Sequence, residues 1–268
     1  MSRVNRKKCA ALASCVLTLT AMTVPATAAA DETASVAESL EAAGSAADRR
    51  EAAAQKHVDD AAVVVRKMSA EPRVKEFLHQ AKGVVIVPTY GRAALGIGVS
   101  GGPGVLLIKR DGENWSEPIF YNLGGLSAGV QAGAEGGALA LILNNDKAIN
   151  VFMRKNTFSL NADSGLTVVN WSKLAQGSVG IGDVTAWSET KGLFGNLVSL
   201  GINDIRFNQN LTDAYYHLNL SPNDVISGRV KNARSDTLRQ SLATTPSPRT
   251  SGTSAGGSES SGKPPGSQ

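Results

Sequence analysis

The chain has 268 residues, 42% of them hydrophobic and 28 of them glycine, with a formal net charge of +4. The positive charge sits at the ends: Arg3, Arg6, Lys7 and Lys8 open the chain, and six basic against two acidic residues follow Gly228, so Asp31 to Gly228 holds 17 basic and 21 acidic residues. That balance leaves little room for a nucleic-acid-binding stripe, and with both cysteines, Cys9 and Cys15, near the start, the rest of the chain has no disulfide or thiolate metal site.

Residues 1–30 read as a secretory signal peptide. Four basic residues precede an apolar run from Cys9 to Val24, and Pro25 to Ala30 supplies small residues for cleavage after Ala28 or Ala30. Leu12-Ala13-Ser14-Cys15 resembles a lipoprotein box, but the apolar run continues well beyond Cys15, which favours ordinary cleavage. The protein is therefore expected to be exported, to a periplasmic or extracellular location, with membrane association as a further expectation.

Residues 31–47 form an alanine-rich arm, read as a weak helix or a disordered segment. Val58, Ala61, Ala62, Val65 and Met68 recur at helical spacing and predict a helix from Asp48 to Met68. Pro72 opens a second short helix, Arg73 to Gln80. From Lys82 the pattern turns to β. Gly83 to Pro88 is a β-branched run, and Ala94–Val99 and Gly104–Lys109 read as strands joined by a Gly101-Gly102-Pro103 turn. Asp111-Gly112 signals another turn before Trp115 and a strand at Ile119 to Asn122. Between Gly124 and Gly136 lie five glycines, each costing a helix about 1 kcal/mol relative to alanine. Gly125–Ala134 and Ala138–Leu143 are therefore read as two strands or one bent strand. Asn144-Asn145-Asp146 caps a short helix over Lys147 to Phe152. Strands follow near Phe158–Leu160, Leu166–Val169, Asp183–Ser188 and Leu193–Phe207, the last interrupted by glycine. Helical turns at Ala214–Tyr216 and Pro222–Ile226 close a domain spanning 48–228. Residues 229–268 read as a disordered tail, since three-quarters of residues 241–268 are Ser, Gly, Pro or Thr.

The fold class that follows is α+β. A mainly antiparallel, glycine-rich curved sheet, barrel-like or a sandwich, is covered by N-terminal helices.

Two enzyme-like motifs occur. Gly96-Ile97-Gly98-Val99-Ser100-Gly101 spells a dinucleotide fingerprint, but a strand rather than a helix is expected after it, so the helix end that binds pyrophosphate is missing. Gly125-Leu126-Ser127-Ala128-Gly129 spells a nucleophile elbow, with Asp163, Asp183 or Asp204 and His217 as partners in hydrolase order. The elbow needs a helix after Ser127, where Gly129, Gly133, Gly136 and Gly137 make a poor one. The histidines His57, His79 and His217 lack metal-ligand spacing. No cofactor, metal or catalytic group is expected, and Ser127 remains a remote hydrolase alternative.

Five ordered segments carry a family resemblance. They are Ala81 to Pro88, Gly96-Ile97-Gly98 with Gly104-Val105-Leu106, Val130-Gln131-Ala132-Gly133-Ala134, Thr190 to Leu197, and Ala214-Tyr215-Tyr216 with Ser221 to Ile226. Through them the chain resembles the SYLF-domain lipid-binding family, in the manner of its exported bacterial members. The resemblance implies a non-enzymatic module that binds anionic phospholipid or a membrane surface, with envelope phospholipid expected for an exported member. Lys82, Arg92, Lys109, Arg110, Arg154, Lys155 and Lys191 lie near the motif strands and are the candidate phosphate contacts. A protein partner is unspecified. The alternative is a structural or scaffolding envelope protein without a lipid ligand, tethered by its basic tail.

Overall fold

The computed structural model describes residues 28–110, 114–154, 156–160, 164–189 and 202–243. Residues 46–268 belong to one compact unit and residues 1–45 to another. The signal-peptide reading, the Asp111-Gly112 turn and the glycines at 192, 195 and 201 lie outside the described residues.

Helix α1 spans Ala28–Ser69, so backbone helix also runs through the arm read as weak or disordered. Within the compact unit its buried stripe is Ala54, Val58, Ala61, Val65 and Met68, all at most 1% exposed, the spacing that three and four residues per turn require. Helix α2 (Pro72–Gln80) begins with proline in its first turn and buries Val74 and Leu78.

The sheet is organised by two long strands, β1 (Gly83–Ile108) and β2 (Ile119–Leu143), which pair antiparallel from Gly83 opposite Leu143 to Leu106 opposite Ile119. Each is doubled on itself. The Lys109 N–H donates to the Lys82 carbonyl at 2.7 Å, and the Tyr90 hydroxyl lies 2.9 Å from Ser100 Oγ. The first and last thirds of β1 therefore lie against each other, each paired with the opposite end of β2. Gly101-Gly102-Pro103, expected to be a turn, pairs in register with Gly124, Leu123 and Asn122. The register instead shifts between Leu95 and Ile97, and again between Val87 and Tyr90, where Pro88 sits at an irregularity as a strand proline must.

Each half of β2 recruits its own neighbour. The C-terminal half pairs with β5 (Val184–Ser188), and the N-terminal half with β6 (Asp204–Phe207), which in turn pairs with β3 (Thr157–Phe158). Strand β4 (Val168–Asn170) lies parallel to β5, joined to it through the short helix α4 (Trp171–Ala175). The result is a curled, mainly antiparallel sheet with N-terminal helices, as the sequence implied.

Both faces of the central strands are covered. Adjacent strand residues point to opposite faces. Phe120 packs on Tyr215 of α5 (Gln209–Tyr216), with ring centroids 5.3 Å apart, while Tyr121 packs at 5.6 Å on Phe152 of α3 (Asp146–Arg154). Double coverage explains why Val84 to Val87 and Leu139 to Leu143 are continuous apolar runs rather than alternating ones. Asn145 caps α3 by accepting from the Ala148 N–H at 3.0 Å, as its sequence position suggested.

Beyond α6 (Pro222–Ile226), order continues past Gly228. A 3-10 turn over Ala233–Ser235 leads into α7 (Asp236–Ala243), whose Leu238 and Leu242 are buried. Glu117, 5% exposed, accepts from Ser235 Oγ at 2.6 Å and from Arg239 at 3.2 Å. Residues 229–243 were assigned to the tail because composition averaged over the whole C-terminus hides two leucines at helical spacing.

Two expectations test these contacts. A Cβ on Gly102 would stand 2.2 Å from the Thr89 carbonyl oxygen, whereas one on Gly180 meets nothing within 4 Å. Gly102→Ala should cost about 3 kcal/mol in urea unfolding, and Gly180→Ala at most about 1 kcal/mol in either direction. A chain ending at residue 228 leaves Glu117 buried without its cationic partner. It should lose about 3 kcal/mol or more of unfolding free energy, while one ending at residue 243 keeps the stability of the full chain.

Candidate functional site: a basic rim at the base of the sheet

Doubling β1 brings its two ends together at one end of the sheet. Lys82, just before β1, and Lys109, just after it, become neighbours through their backbone hydrogen bond. Lys82 Nζ lies 3.7 Å from Asp146 Oδ1 at the start of α3. Lys109 Nζ donates to the His79 carbonyl at the end of α2 at 2.6 Å and stands 5.9 Å over the Trp115 ring. The Arg110 guanidinium lies against Gly228, whose φ of +77° only glycine adopts readily and whose Cβ would meet Arg110 Nη1 at 2.7 Å.

Further polar contacts tie the flanking helices down. Lys147, in the first turn of α3, lies 3.1 Å from Asp183 Oδ2 and 2.5 Å from the Gly165 carbonyl. Arg73, in the first turn of α2, donates to the Ala175 carbonyl at the end of α4 at 3.1 Å. A hydrogen bond to a carbonyl orients a guanidinium without cancelling its charge. Asn144 donates to the Gly182 carbonyl at 2.7 Å and Asn145 to Asp183 Oδ1 at 2.7 Å, which fixes the segment entering β5.

Asp183 is the electrostatic anchor of this end. The Thr167 N–H, the Asn145 amide and the Lys147 ammonium, in that order, hold its carboxyl below the usual carboxylate range against the opposing effect of burial.

The candidate phosphate contacts are thus divided. Lys82, Lys109 and Arg110 converge on the rim. Arg92 does not: it lies opposite Glu135 where the doubled strands turn, at the far end of the sheet. Arg154 ends α3, two helical turns from Lys82's partner Asp146. Lys155 and Lys191 lie outside the described residues. Sequence reasoning missed Lys147: its helix was legible, but its place next to Lys82's partner Asp146 depends on where α3 docks on the sheet.

Alternative chemistries find no geometry. Ser127 is paired opposite Gly98 inside the β1–β2 ladder, with Leu126 and Ala128 paired on either side, so no strand-to-helix elbow presents it. Gly96 to Gly101 is likewise continuous strand, without the helix that a dinucleotide site needs. Among the described residues, no cluster of His, Cys, Asp or Glu could hold a metal, and no helix is long and apolar enough to cross a membrane. Three buried tyrosines, Tyr121, Tyr215 and Tyr216, have hydroxyl pKa values raised by burial and serve the core; Tyr121 and Tyr216 donate to the carbonyls of Phe152 and Pro118.

With the geometry in place, the comparisons with known proteins take on a definite span. Residues 124–245 match the family model Ysc84, described as "Las17-binding protein actin regulator". This stretch, somewhat under half of the chain, is similar to the Ysc84/SYLF domain family. The match runs to within two residues of the end of α7, so it includes the helix that the composition reading assigned to the tail.

Similar proteins include the SH3 domain-containing YSC84-like protein 1 of Xenopus laevis, 26% identical over 121 residues, 44% of this chain and 36% of that protein. The human protein of the same name is 26% identical over 118 residues, 43% of this chain and 34% of the relative. An SH3 domain-containing protein of Schizosaccharomyces pombe is 28% identical over 158 residues, 57% of this chain and 36% of the relative. The aligned region thus spans about a third of the length of these curated relatives. No solved structure matches the chain.

The Asp183 anchor has a pH signature. Its folded pKa is depressed, so its stabilisation is present above the unfolded value of about 4 and is lost as pH falls through the lower folded value. Asp183→Asn should therefore lower the urea midpoint at pH 7, and its deficit against the wild type should close as both proteins are titrated below about pH 4.

Proposed function

We propose that this domain is a non-enzymatic module that docks on anionic phospholipid membrane surfaces through the basic rim. The observation that carries the reading is the convergence of Lys82, Lys109 and Arg110 with Lys147 at one end of the sheet. A local cationic end orients the domain toward an anionic surface. The rim offers no cleft or nucleophile for turnover. The family description of a binding protein and regulator supports a binding role of this kind. The leader at residues 1–30 supports export, so that the surface met is an envelope membrane.

A second reading is a scaffold that binds a protein or wall polymer and no lipid, favoured by the protein-binding description of the family model. Its basic-tail version has less charge to offer than composition implied. Arg229 pairs with Asp224, Arg234 with Glu51, and Arg239 with Glu117 and Asp236.

Co-sedimentation with vesicles of graded phosphatidylglycerol content separates these readings. The full chain should pellet in proportion to anionic lipid at low salt and be released by about 0.5 M salt, where the Debye length falls to a few ångströms. Lys82→Gln with Lys109→Gln should weaken binding by about 2 kcal/mol, roughly 30-fold. A chain ending at residue 243 should bind like the full chain. Retention in the supernatant at every composition would end the lipid reading, and binding that needs residues 244–268 would favour the tether.

A further inference from the structure

We infer that the loop between α4 and β5, Gln176 to Asp183, is an apolar wedge that enters the bilayer between phospholipid headgroups. This deepens the membrane reading above and rests on it. The loop exposes two aliphatic side chains, Val179 at 37% and Ile181 at 66%. Both belong to a segment held in place rather than to a loose strap. The Ser178 N–H donates to the Lys173 carbonyl at 3.0 Å and the Gly177 N–H to the Leu174 carbonyl at 2.9 Å. At the other end, the Gly182 carbonyl accepts from Asn144, and Asp183 is fixed by Asn145, Lys147 and the Thr167 N–H. Gly182 itself has no room for a side chain, because its Cβ would stand 2.6 Å from the Thr167 carbonyl oxygen. Holding two aliphatic residues in water on a fixed loop is unfavourable, and their burial elsewhere would be worth more than an ordinary surface residue returns.

The surroundings point to an anionic bilayer as what covers them. Lys173 is exposed on α4 directly beside the loop, Arg73 is bound to the last carbonyl of the same helix, and Lys147 is bound to the loop's exit residue. Cations thus flank the loop at its entry and at its exit. Trp171, at the start of α4, is half-buried against Phe77 at 5.5 Å between ring centroids, with its indole N–H donating to Glu71 at 3.2 Å. An indole with one apolar side and one polar edge suits the headgroup region. An apolar tip, a tryptophan shoulder and a cationic collar form the order of environments met on crossing a lipid surface, whereas a protein partner would have to supply carboxylates in a matching ring.

The test uses the full chain with Cys9→Ser and Cys15→Ser, so that one introduced cysteine carries an environment-sensitive fluorophore. Labelled Ile181→Cys should shift to the blue on adding phosphatidylglycerol vesicles and be quenched by bromine on the upper acyl carbons. Labelled Leu218→Cys, also an exposed aliphatic position at 54%, should do neither. In unlabelled protein, Val179→Ser with Ile181→Ser should weaken vesicle partitioning about tenfold and lower the salt concentration at which the protein leaves the vesicles. If the full chain sediments with anionic vesicles while Ile181 shows no shift and the serine pair binds unchanged, the wedge is wrong and the electrostatic reading stands. If the full chain does not sediment at all, both fall. A blue shift at Ile181 without lipid, accompanied by a doubled mass in light scattering, would assign the loop to a second copy of the chain and overturn the wedge.

Discussion

Everything in this fold depends on the doubling of β1. Its first and last thirds lie against each other, and each pairs with the opposite end of β2. Backbones must approach closely where the doubled ribbon twists. At Gly102 and Gly104 a Cβ would meet the Thr89 and Ile86 carbonyls at 2.2 and 3.0 Å. Glycine there is a steric requirement, not a source of flexibility.

The same doubling creates the binding end. A strand that returns on itself puts its own beginning and end together, which makes neighbours of residues 27 positions apart, Lys82 and Lys109. Helices α2 and α3 flank those ends: the last turn of α2 receives Lys109 and the first turn of α3 brings Lys147 to the rim. Asp183 ties three of these pieces together through one carboxylate, and its depressed pKa reflects how many donors converge on it. The cations of the rim are therefore brought together by topology rather than by order in the chain.

Closure comes from the far end of the chain. Helix α7 packs two leucines into the core and covers Glu117, whose carboxylate is matched by Ser235 and Arg239. Burying that charge is tolerable only because both of its oxygens are satisfied. Of the basic residues after Gly228, Arg229, Arg234 and Arg239 are paired with carboxylates within the fold.

What the sequence determined by itself is local and periodic. The apolar stripe of α1, the Asn145 cap of α3, the β-branched runs of the sheet and the antiparallel α+β class all follow from spacing, propensity and glycine placement, because each rests on neighbours a few residues away. The ordered motifs also carried the resemblance to the family whose model matches residues 124–245. Tertiary structure alone decided the rest. Gly101-Gly102-Pro103 has the composition of a turn and is paired strand, because the partner strand that straightens it lies twenty residues on. Of the basic candidates, only Lys82, Lys109 and Arg110 meet, and Arg92 is carried to the opposite end, because a doubled strand sorts its residues by distance from the fold-back rather than by order in the chain. Nothing in the local sequence around Val179 and Ile181 marks them as exposed; that exposure, and the contacts of Arg73 and Lys147 at the two ends of the loop, exist only in the folded structure.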